Sequence, residues 1–516
     1  MVARQVLEAS AVLSPRLEAE LIERTSGRQA FELLEALDEL ANHNVLMVDD
    51  EGYHFRHELI RQTVYQGLSK WRAQLLHKRA AQALEALYKI NLQVEYGQIA
   101  FHYDCAGLAE QAVQAYYAAA QSAQEIYAYQ TAINFLKRGI QLLPDVQLEP
   151  ELIANVYELL GDCQNNIGDF DQARQCYNQS IQSLGESNAL LTADLLRKSA
   201  ATFSGEFAYD QAMPLLDHAL DILDEKTENQ AVAWQRCWLD VQLERIWVFY
   251  LKAVPEKIDE ISTQIKPYIE QVGTPRQRIR FYSGLNYAIV RKNRYQVSRE
   301  VVDSERRSLK IAREADDEVI ISECEFNTGI LSFLHGDVES AIELLSTGLA
   351  RAQKLGLHPI ELQCCVYLIA VHRVQGNLEA VQEFIPGCLE IADRIGQPNY
   401  QGAALTHQGW LHYHCGDYAQ AEQSAAKALE FWDATKTYPF QWMGLWLLLA
   451  MAFSQGKIDL ALQYVARITD PIQQAPPPEI ETLLQSALQA SKEGQGEKVK
   501  SALKSALKLA RVQGYL

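Results

Sequence analysis

One short stretch of the sequence concentrates side chains that bind metals or transfer protons. It contains His407, His412, His414 and Cys415, and His372 lies 40 residues before His412. Imidazole and thiolate groups hold zinc in tetrahedral sites, and imidazole titrates near neutral pH. Because no histidine pair at i, i+4 and no C-x-x-C pair completes a tetrahedral set, the sequence predicts no metal site.

The common phosphate-binding and nucleophile motifs are also missing from the sequence. It contains no G-x-x-x-x-G-K-[ST], no G-x-S-x-G and no H-E-x-x-H. The stretch Gly494–Lys498 (GQGEK) has the wrong spacing for a phosphate loop, and Val499 follows the lysine. We therefore expect no catalytic residues, and no cofactor bound by this chain alone.

A glycine-led turn repeats through the C-terminal half and organises the chain. It begins at Gly336, Gly376, Gly416 and Gly456, a constant interval of 40 residues. A fixed period of this size predicts a solenoid of stacked helical hairpins. In each turn glycine ends one helix in the left-handed conformation, and the next residue, Asp or Asn in the first three turns, caps the following helix.

Small residues are expected where the two helices of a hairpin approach most closely. On the second helix of successive repeats these are Ala341, Val381, Ala421 and Ala461. Gly329 and Gly409, on first helices, are expected to do the same. The pattern predicts an all-α protein in which one helical array absorbs most of the 516 residues.

Residues 1–68 do not follow the repeat. Helical patterns cover Val2–Val12, Arg16–Arg24 and Ala30–Asn42, with Ser14 as a cap and Pro15 as the first helical residue of the second helix. The third helix is expected to bury one face, formed by Phe31, Leu34, Leu37 and Leu40.

The hydrophobic period then changes to two, which predicts a β-hairpin. Its strands are Val45–Val48 and Tyr53–Phe55, joined by the turn Asp49–Gly52. Three helices followed by a hairpin is a winged-helix pattern. Two further helices follow, at His57–Leu68 and Lys70–Tyr88.

The sequence after this hairpin resembles a known family. The segment Phe55–Tyr65 (FRHELIRQTVY), with Leu68-Ser69 and Leu76–Arg79 (LHKR), is similar to the end of the ATPase module in bacterial STAND regulators, which are signal-transduction ATPases with numerous domains. Maltose-type activators and cyclase-associated ATPases are related to them. The resemblance covers about residues 1–145 in detail. It implies that a winged helix closes a P-loop nucleotide-binding unit and that a tetratricopeptide array follows as sensor.

Within that resemblance, His57 matches the histidine that touches the β-phosphate of bound ADP in the wider family. An imidazole N–H can donate to a phosphate oxygen. The alternative is that His57 only caps a helix beside the wing. Since this chain lacks a P-loop, ATP or ADP would be bound only by a P-loop domain attached in cis or supplied in trans.

The helical hairpins begin at Val94, and one of them resembles a tetratricopeptide repeat closely. Its matching positions are Tyr157, Leu160, Gly161, Ala173 and Tyr177, around the turn Gly168-Asp169. The resemblance implies a right-handed superhelix whose concave face binds peptides or other protein segments.

A basic cluster interrupts this acidic chain. Residues 275–313 hold eleven Arg or Lys against three acids, inside a net charge of −19. The cluster could bind an anionic partner, or its members could pair with acids on neighbouring repeats, which is the interpretation we favour. The main candidates are Arg276, Arg278, Arg280, Arg291, Lys292, Arg294, Arg306 and Arg307.

The tetratricopeptide pattern also predicts which first-helix side chains face the concave groove. Several are aromatic, which would suit an apolar or aromatic anchor of a peptide or a small apolar ligand. The competing interpretation is that these rings pack between adjacent helices. The candidates are Phe326, Phe333, Arg373, Thr406, Trp410, Tyr413, Trp446 and Phe453.

Composition places the chain in the cytoplasm. The nine cysteines lie mostly in helical patterns, and we expect them to be buried, reduced thiols. The longest apolar run, Trp442–Phe453, is too short to span a bilayer. The acidic charge argues against general nucleic-acid binding.

Six segments are predicted, and together they give a tetratricopeptide-like solenoid preceded by a small winged-helix domain. They are a winged helix (1–68), a connecting helix (69–93), tetratricopeptide repeats (94–228), irregular hairpins with the basic cluster (229–315), repeats of 40-residue period (316–472), and a Pro-rich break with a capping hairpin (473–516).

The favoured function is the non-catalytic sensor of a STAND-type signalling or transcriptional regulator. It would bind a protein, peptide or small ligand and relay the event through the winged helix. One alternative is a free-standing tetratricopeptide adaptor. A DNA-binding regulator is less favoured, because helix Ala30–Asn42 carries four acids and no Arg or Lys.

Overall fold

The structure is a computed structural model that describes residues 1–15, 17–49, 52–88, 92–224, 231–435 and 438–516. The described residues are mostly helical and form two compact units, residues 1–163 and 164–516. Stacked helical hairpins of tetratricopeptide type make up most of the chain, which confirms the predicted all-α repeat fold.

Unit 1 begins with three helices and a two-stranded antiparallel sheet, followed by helical hairpins. One core cluster joins α1–α3 to α5–α7. Two residues of the predicted hairpin turn, Asp50 and Glu51, lie outside the described residues. The elements are α1 Val2–Leu13, α2 Ala19–Ser26, α3 Ala30–Asn42, β1 Leu46–Asp49, β2 Gly52–Phe55, α4 Glu58–Gln66, α5 Lys70–Leu87, α6 Leu92–Cys105, α7 Ala109–Glu125, α8 Tyr129–Leu142 and α9 Pro150–Asn166, which continues into unit 2.

The prediction that Pro15 starts the second helix is wrong. Helix α2 begins at Ala19. Leu17 instead forms an isolated antiparallel bridge with Tyr53. Pairing with the hairpin holds this segment extended. The Ser-Pro pattern that predicted a helix start carries no information about that distant contact.

The predicted buried face of α3 is also partly wrong. Leu37 and Leu40 are buried as expected, together with Leu33 and Ala36. Phe31 and Leu34 are exposed. Two apolar stripes on this helix share Leu37 and Leu40, so periodicity alone could not choose between them.

Unit 2 consists of helices throughout its described part. Its hairpins share one large core cluster, with smaller clusters beside it. The elements are α10 Phe170–Leu184, α11 Ala189–Gly205, α12 Tyr209–Asp224, α13 Val232–Leu251, α14 Pro255–Val272, α15 Pro275–Lys292, α16 Arg299–Glu314, α17 Glu318–His335, α18 Val338–Leu355, α19 His358–Val374, α20 Leu378–Ile395, α21 Pro398–His414, α22 Tyr418–Thr435, α23 Trp442–Ser454, α24 Ile458–Ile468, α25 Pro478–Lys492 and α26 Gly496–Val512.

The 40-residue turns have the predicted geometry. All four glycines have positive φ, between 70° and 97°. The carboxylate of Asp337 accepts from the backbone N–H of Ser340, and Asn377 and Asp417 cap the next helices in the same way. The sequence therefore determined both the helix ends and the starts of their partners.

The small-residue positions are buried contacts between paired helices. Ala341, Val381, Ala421 and Ala461 are fully buried. A Cβ on Gly409 would lie 3.2 Å from the backbone oxygen of Ala421, and one on Gly329 would lie 2.8 Å from Leu345. Larger side chains at these places would push the hairpin apart.

The apolar helix α23 is a core helix of 13 residues, buried over most of its length. Among the described residues, no helix combines the length and apolar character needed to cross a bilayer.

Candidate functional site

Unit 2 contains a cavity of about 120 Å³ walled mainly by aromatic side chains, which we call the tyrosine cavity. It lies among the ends of α11, α13, α15 and α17, the middle of α19 and the starts of α12 and α21. Its lining residues are Ser204, Gly205, Phe207, Tyr209, Trp247, Tyr250, Leu251, Tyr287, Arg291, Tyr295, Phe326, Ile330, Leu334, Gln363, Tyr367, Gln397, Asn399, Tyr400, Tyr438, Pro439 and Phe440.

Helix spacing brings much of the polar lining to one wall. Tyr287 and Arg291 are four residues apart on α15, so both project from the same helix face. Tyr295 follows the helix end at φ 62°, and its N–H donates to Val290 O at 2.7 Å. This turn returns Tyr295 to the side of Arg291.

The rings pack against one another in stacked and edge-to-face pairs. Trp247 stacks on Tyr250 with ring centroids 5.1 Å apart, and Tyr250 lies 5.2 Å from Tyr287. Phe440 takes the edge-to-face position 4.8 Å from Tyr295. Such pairs add to the free energy of area burial, so the wall is held in shape before any ligand enters.

Arg291 places a positive charge in this aromatic wall. Its Nη1 donates to Tyr295 Oη at 2.8 Å, and its Cζ lies 5.3 Å from the centre of the Tyr250 ring. The side chain is buried. A guanidinium held by a ring face and a hydroxyl keeps a fixed orientation.

The tyrosine hydroxyls of the cavity are neutral at physiological pH. Burial raises the pKa of Tyr287, Tyr295 and Tyr400 well above its usual range. They therefore serve as hydrogen-bond donors and acceptors and carry no charge.

One buried acceptor of the lining is open. Gln397 Nε2 donates to Gly205 O at 2.9 Å, which fixes the amide. No described residue donates to its Oε1. A polar ligand atom in the cavity could do so.

The sequence predicts only part of this site. Phe326, a predicted groove residue, and Arg291, a predicted member of the basic cluster, both line the cavity. The tyrosines were not predicted as site residues. Tyr250 and Tyr287 lie on helices without the small-residue signature, and Tyr295 and Tyr438 lie in loops. Tyr209, Tyr367 and Tyr400 lie on repeat helices, but not at predicted groove positions.

Four other predicted groove residues are not on an open surface, which corrects the prediction. Arg373, Thr406, Trp410 and Trp446 are fully or almost fully buried. Arg373 donates to Met443 O at 3.0 Å and contacts His407 Nδ1 at 3.1 Å. The rings pack between α19, α21 and α23, as the competing interpretation proposed.

The C-terminal segment (residues 513–516) covers part of this second aromatic group, which we call the tryptophan cluster (Trp410, Trp442, Trp446 and Arg373). The ring of Tyr515 lies 5.1 Å from Trp442 and 6.1 Å from Trp446. Just before it, Arg511 donates to Tyr413 Oη at 2.9 Å. The chain's own end therefore lies on a surface that the sequence assigned to a ligand.

The remaining groove candidates are half-buried. Phe333, Tyr413 and Phe453 each pack partly against the unit 2 core. They lie outside the tyrosine cavity lining. The eight predicted residues thus do not form one surface.

The basic cluster is largely paired with acids. The ion pairs are Arg276–Glu323 (3.8 Å), Arg280–Glu244 (2.8 Å), Lys292–Asp259 (2.5 Å), Arg294–Glu481 (2.6 Å) and Arg306–Asp337 (3.2 Å). Most partners lie on neighbouring helices. This favours the interpretation that the cations neutralise carboxylates.

The other three members of the cluster differ from one another. Arg278 donates to the backbone oxygen of Glu270, Arg291 lies in the tyrosine cavity, and Arg307 is exposed.

In unit 1, His57 occupies the N-cap position of α4. It is exposed, and its side chain makes no capping hydrogen bond. Helix α4 has no buried residue at all. The nucleotide-sensing role of His57 stays a prediction.

Beside α4, unit 1 has a second cavity, of about 440 Å³, that reaches a buried histidine pair. Tyr65 Oη lies 2.8 Å from His77 Nε2, and His77 Nδ1 lies 2.9 Å from His102 Nδ1. Burial lowers the pKa of His77 to about 4 and that of His102 to about 3. Both imidazoles are therefore neutral at pH 7.

The histidines near residue 410 do not assemble with other ligands. His372 stacks on Phe384, and the ring of His414 packs at a tilted angle against Trp410, with centroids 4.1 Å apart. Among the described residues, no group of three or more His, Cys, Asp or Glu side chains could hold a metal ion.

Comparisons with known proteins found remote similarities. No protein-family model matches the chain. A stretch of 91 residues is 32% identical to an uncharacterized protein of Rhizobium meliloti (strain 1021), covering 18% of this chain and 9% of that protein. The chain thus spans less than a tenth of this relative's length.

Three solved structures are similar in their helical repeats. One is a STAND protein with a tetratricopeptide repeat sensor from Pyrococcus horikoshii (14% identity, TM-score 0.41, 91% of this chain and 63% of that chain). The others are the APC/C hetero-tetramer Cut9–Hcn1 (15%, 0.36, 88% and 96%) and a Rap protein complexed with competence and sporulation factor (14%, 0.37, 74% and 98%). Similarity this remote assigns neither ligand nor partner to this chain.

Proposed function

We propose that this chain is a recognition module that binds a small ligand or a peptide side chain in the tyrosine cavity. The observation that carries the proposal is the cavity itself, with rigid aromatic walls and one buried arginine. Ligand sites are typically concave, largely apolar and provided with a few fixed polar groups. The repeats supply the scaffold that holds these groups apart.

A cavity-filling variant tests this proposal. Leu334→Trp adds a large ring at a half-buried lining position, and Leu378→Trp adds the same ring at an exposed position on α20. We expect compounds or peptides found by ligand-observed NMR to lose binding to the first variant and keep binding to the second. Hits that bind both variants equally would place recognition elsewhere.

We further propose that the module belongs to a STAND-type regulator in the cytoplasm and acts on a P-loop nucleotide-binding domain, in cis or in trans. Unit 1 supports this, because its apolar surface around the family-like segment is uncovered. Trp71 is 82% exposed and Leu59 75%. Exposed apolar side chains in such numbers are typical of an interaction surface. The others are Phe31, Leu34, Val48 and Phe101.

The size of the native product tests the cis arrangement. An immunoblot of the host with an antibody against the repeats should show a band well above the 58.3 kDa of this chain. A band at 58.3 kDa would mean that the P-loop domain could act only as a separate chain, and it would favour the free-standing adaptor. The absence of a P-loop motif from this sequence also favours the adaptor.

The DNA-binding alternative is opposed by the surface of α3. Glu32, Glu35, Asp38 and Glu39 are all exposed there. Phosphates would be repelled. Salt-sensitive retention of this chain on duplex DNA would revive that alternative.

A further inference from the structure

We propose that the surface under the C-terminal segment is a second recognition site, which binds a peptide whose residues follow the order glycine, aromatic, aliphatic. In the structure, the chain's own Gly514, Tyr515 and Leu516 occupy this surface. A partner peptide of the same chemistry would replace them. None of these residues belongs to the described lining of the tyrosine cavity.

The aromatic residue is the main anchor of the segment. The ring of Tyr515 meets that of Trp442 edge to face at 5.1 Å, and it lies 6.1 Å from the ring of Trp446. Both tryptophans are buried. Aromatic pairs of this geometry add to the free energy of area burial, and buried aromatic anchors carry much of the binding energy at protein interfaces. The surface therefore suits a ring.

The residues on either side of Tyr515 are constrained as well. Gly514 has φ 77°, and a Cβ there would lie 2.3 Å from Val374 O, at the end of α19. Leu516 is buried and belongs to the core cluster of unit 2. Glycine alone fits the first position without displacing the backbone, and an apolar side chain fits the last. The segment thus defines an order of residue types that a partner peptide can match.

The polar groups of the segment and the surface fit each other imperfectly. The Nε1 donor of Trp446 and the Oε1 acceptor of Gln513 are both buried, and no described residue pairs with either. Buried polar atoms without partners cost free energy. The covering contact is therefore weaker than its apolar packing alone would make it, and a partner peptide can compete with the segment.

The segment competes with any partner as part of the same chain. Just before it, Arg511 Nη2 donates to Tyr413 Oη at 2.9 Å, which holds the segment near the surface. A linked competitor acts at a high effective concentration. A free peptide therefore binds weakly until the segment is displaced, and release of the segment controls access to the site.

The test releases the segment and adds it back as a peptide. In the full chain, Gly514→Ala should displace the segment through the clash with Val374 O, and Gly494→Ala, also at positive φ but with free space around its Cβ, is the matched control. A fluorescent, C-terminally amidated peptide of residues 511–516 (RVQGYL) is titrated into both variants and the unmodified chain by fluorescence anisotropy. We expect binding to Gly514→Ala to be at least tenfold tighter than to the other two, because the linked competitor has left the surface.

Two altered peptides test the order of residue types. Alanine in place of the glycine or of the tyrosine of the peptide should weaken binding to Gly514→Ala at least tenfold. The unaltered peptide should also reverse the red shift of tryptophan emission in that variant. If Gly514→Ala does not fold or keeps the segment in place, Tyr515→Ala, which removes only the anchoring ring, is used in its stead.

Three outcomes overturn the inference. They are equal binding of the peptide to the released variant and to Gly494→Ala, no binding to a variant whose emission shows that the segment has left, and equal binding of the unaltered and altered peptides. All three leave the proposal for the tyrosine cavity standing, because Leu334→Trp tests that site separately.

Discussion

The tyrosine cavity and the tryptophan cluster of unit 2 are built from the same types of residue. Each gathers aromatic rings from several helices around one buried arginine, Arg291 in the first and Arg373 in the second. The cavity retains open volume, whereas the rings of the cluster are buried between helices and partly covered by the C-terminal segment. Aromatic residues at predicted groove positions therefore indicate an open binding surface only when no other part of the chain fills it.

The two arginines are stabilised differently. Arg373 is fully buried, donates to a backbone carbonyl and lies 5.4 Å from the centre of the Trp410 ring. Burial lowers its pKa to about 9, which still leaves it charged at pH 7. Arg291 instead meets a tyrosine hydroxyl and a ring at a cavity wall. The first arrangement lies among buried rings, and the second lies at the wall of a cavity.

The largest expected effect is a difference in how much each region contributes to the free energy of unfolding. Trp446 is fully buried, whereas Trp247 is 36% exposed. Trp446→Ala should lower the free energy of unfolding by about 4 kcal/mol, and Trp247→Ala by only about 1–2 kcal/mol, since less buried area is lost. Urea unfolding followed by circular dichroism measures both. Equal losses would mean that the cavity wall is as tightly packed as the cluster.

A glycine pair tests whether the C-terminal segment really covers the cluster. Gly514 and Gly494 have φ near +77° and +70°, but a Cβ on Gly514 would lie 2.3 Å from Val374 O, whereas one on Gly494 meets nothing within 4 Å. Gly494→Ala should lower the free energy of unfolding by about 1 kcal/mol, because alanine is disfavoured at positive φ. Gly514→Ala should cost about 3 kcal/mol, because the clash must also displace the segment.

Two readouts accompany this glycine pair. Displacing Tyr515 from Trp442 and Trp446 should shift tryptophan emission to the red in Gly514→Ala and not in Gly494→Ala. Binding in the tyrosine cavity should be unchanged in both. Equal stabilities of the two variants would argue that the segment does not cover the cluster in solution.

The smallest expected effect is a dependence on pH that belongs to the tryptophan cluster. Burial, and then the nearby charge of Arg373, hold the pKa of His407 well below its usual value. As the pH falls, the imidazole of residue 407 is protonated in the unfolded chain, where a histidine pKa is about 6.5, before it is protonated in the folded chain. The free energy of unfolding therefore falls as the pH drops below about 6.5. At higher pH the imidazole is neutral in both states and contributes no pH dependence.

His407→Gln should reduce the loss of Tm between pH 7.5 and pH 5.5, because Gln keeps an acceptor for Arg373 without titrating. His77 and His102 titrate equally in both proteins, so the difference between the two proteins reports His407. An unchanged pH dependence would show that His407 is not buried as described.

Local rules predicted the repeat fold well. Glycine at fixed intervals, capping Asp and Asn, and small residues at close contacts act within one hairpin, and the structure confirms them. The same rules failed at α2, where Leu17 pairs with Tyr53 in the hairpin. They also failed at α3, where the hydrophobic periodicity is equally consistent with Phe31 and Leu34 being buried or exposed.

The candidate site was harder to predict, because its parts are far apart in the chain. Phe326 was predicted as a groove residue and Arg291 only as a member of the basic cluster, and Tyr287, Tyr295 and Tyr400 were not predicted. Residue types indicated that aromatic surfaces and cations exist in this region. They could not show which rings face open volume, since that depends on every helix packed around them.

The sequence by itself determined that this protein is an array of helical hairpins, because helix starts, helix ends and hairpin contacts depend on residues close together in the chain. Only the tertiary structure decided which aromatic group stayed open. Tyr515 comes from the far end of the chain to lie on Trp442 and Trp446, while the rings around Arg291 leave a cavity. Contacts between distant segments carry no fixed spacing, and for that reason no sequence pattern records them.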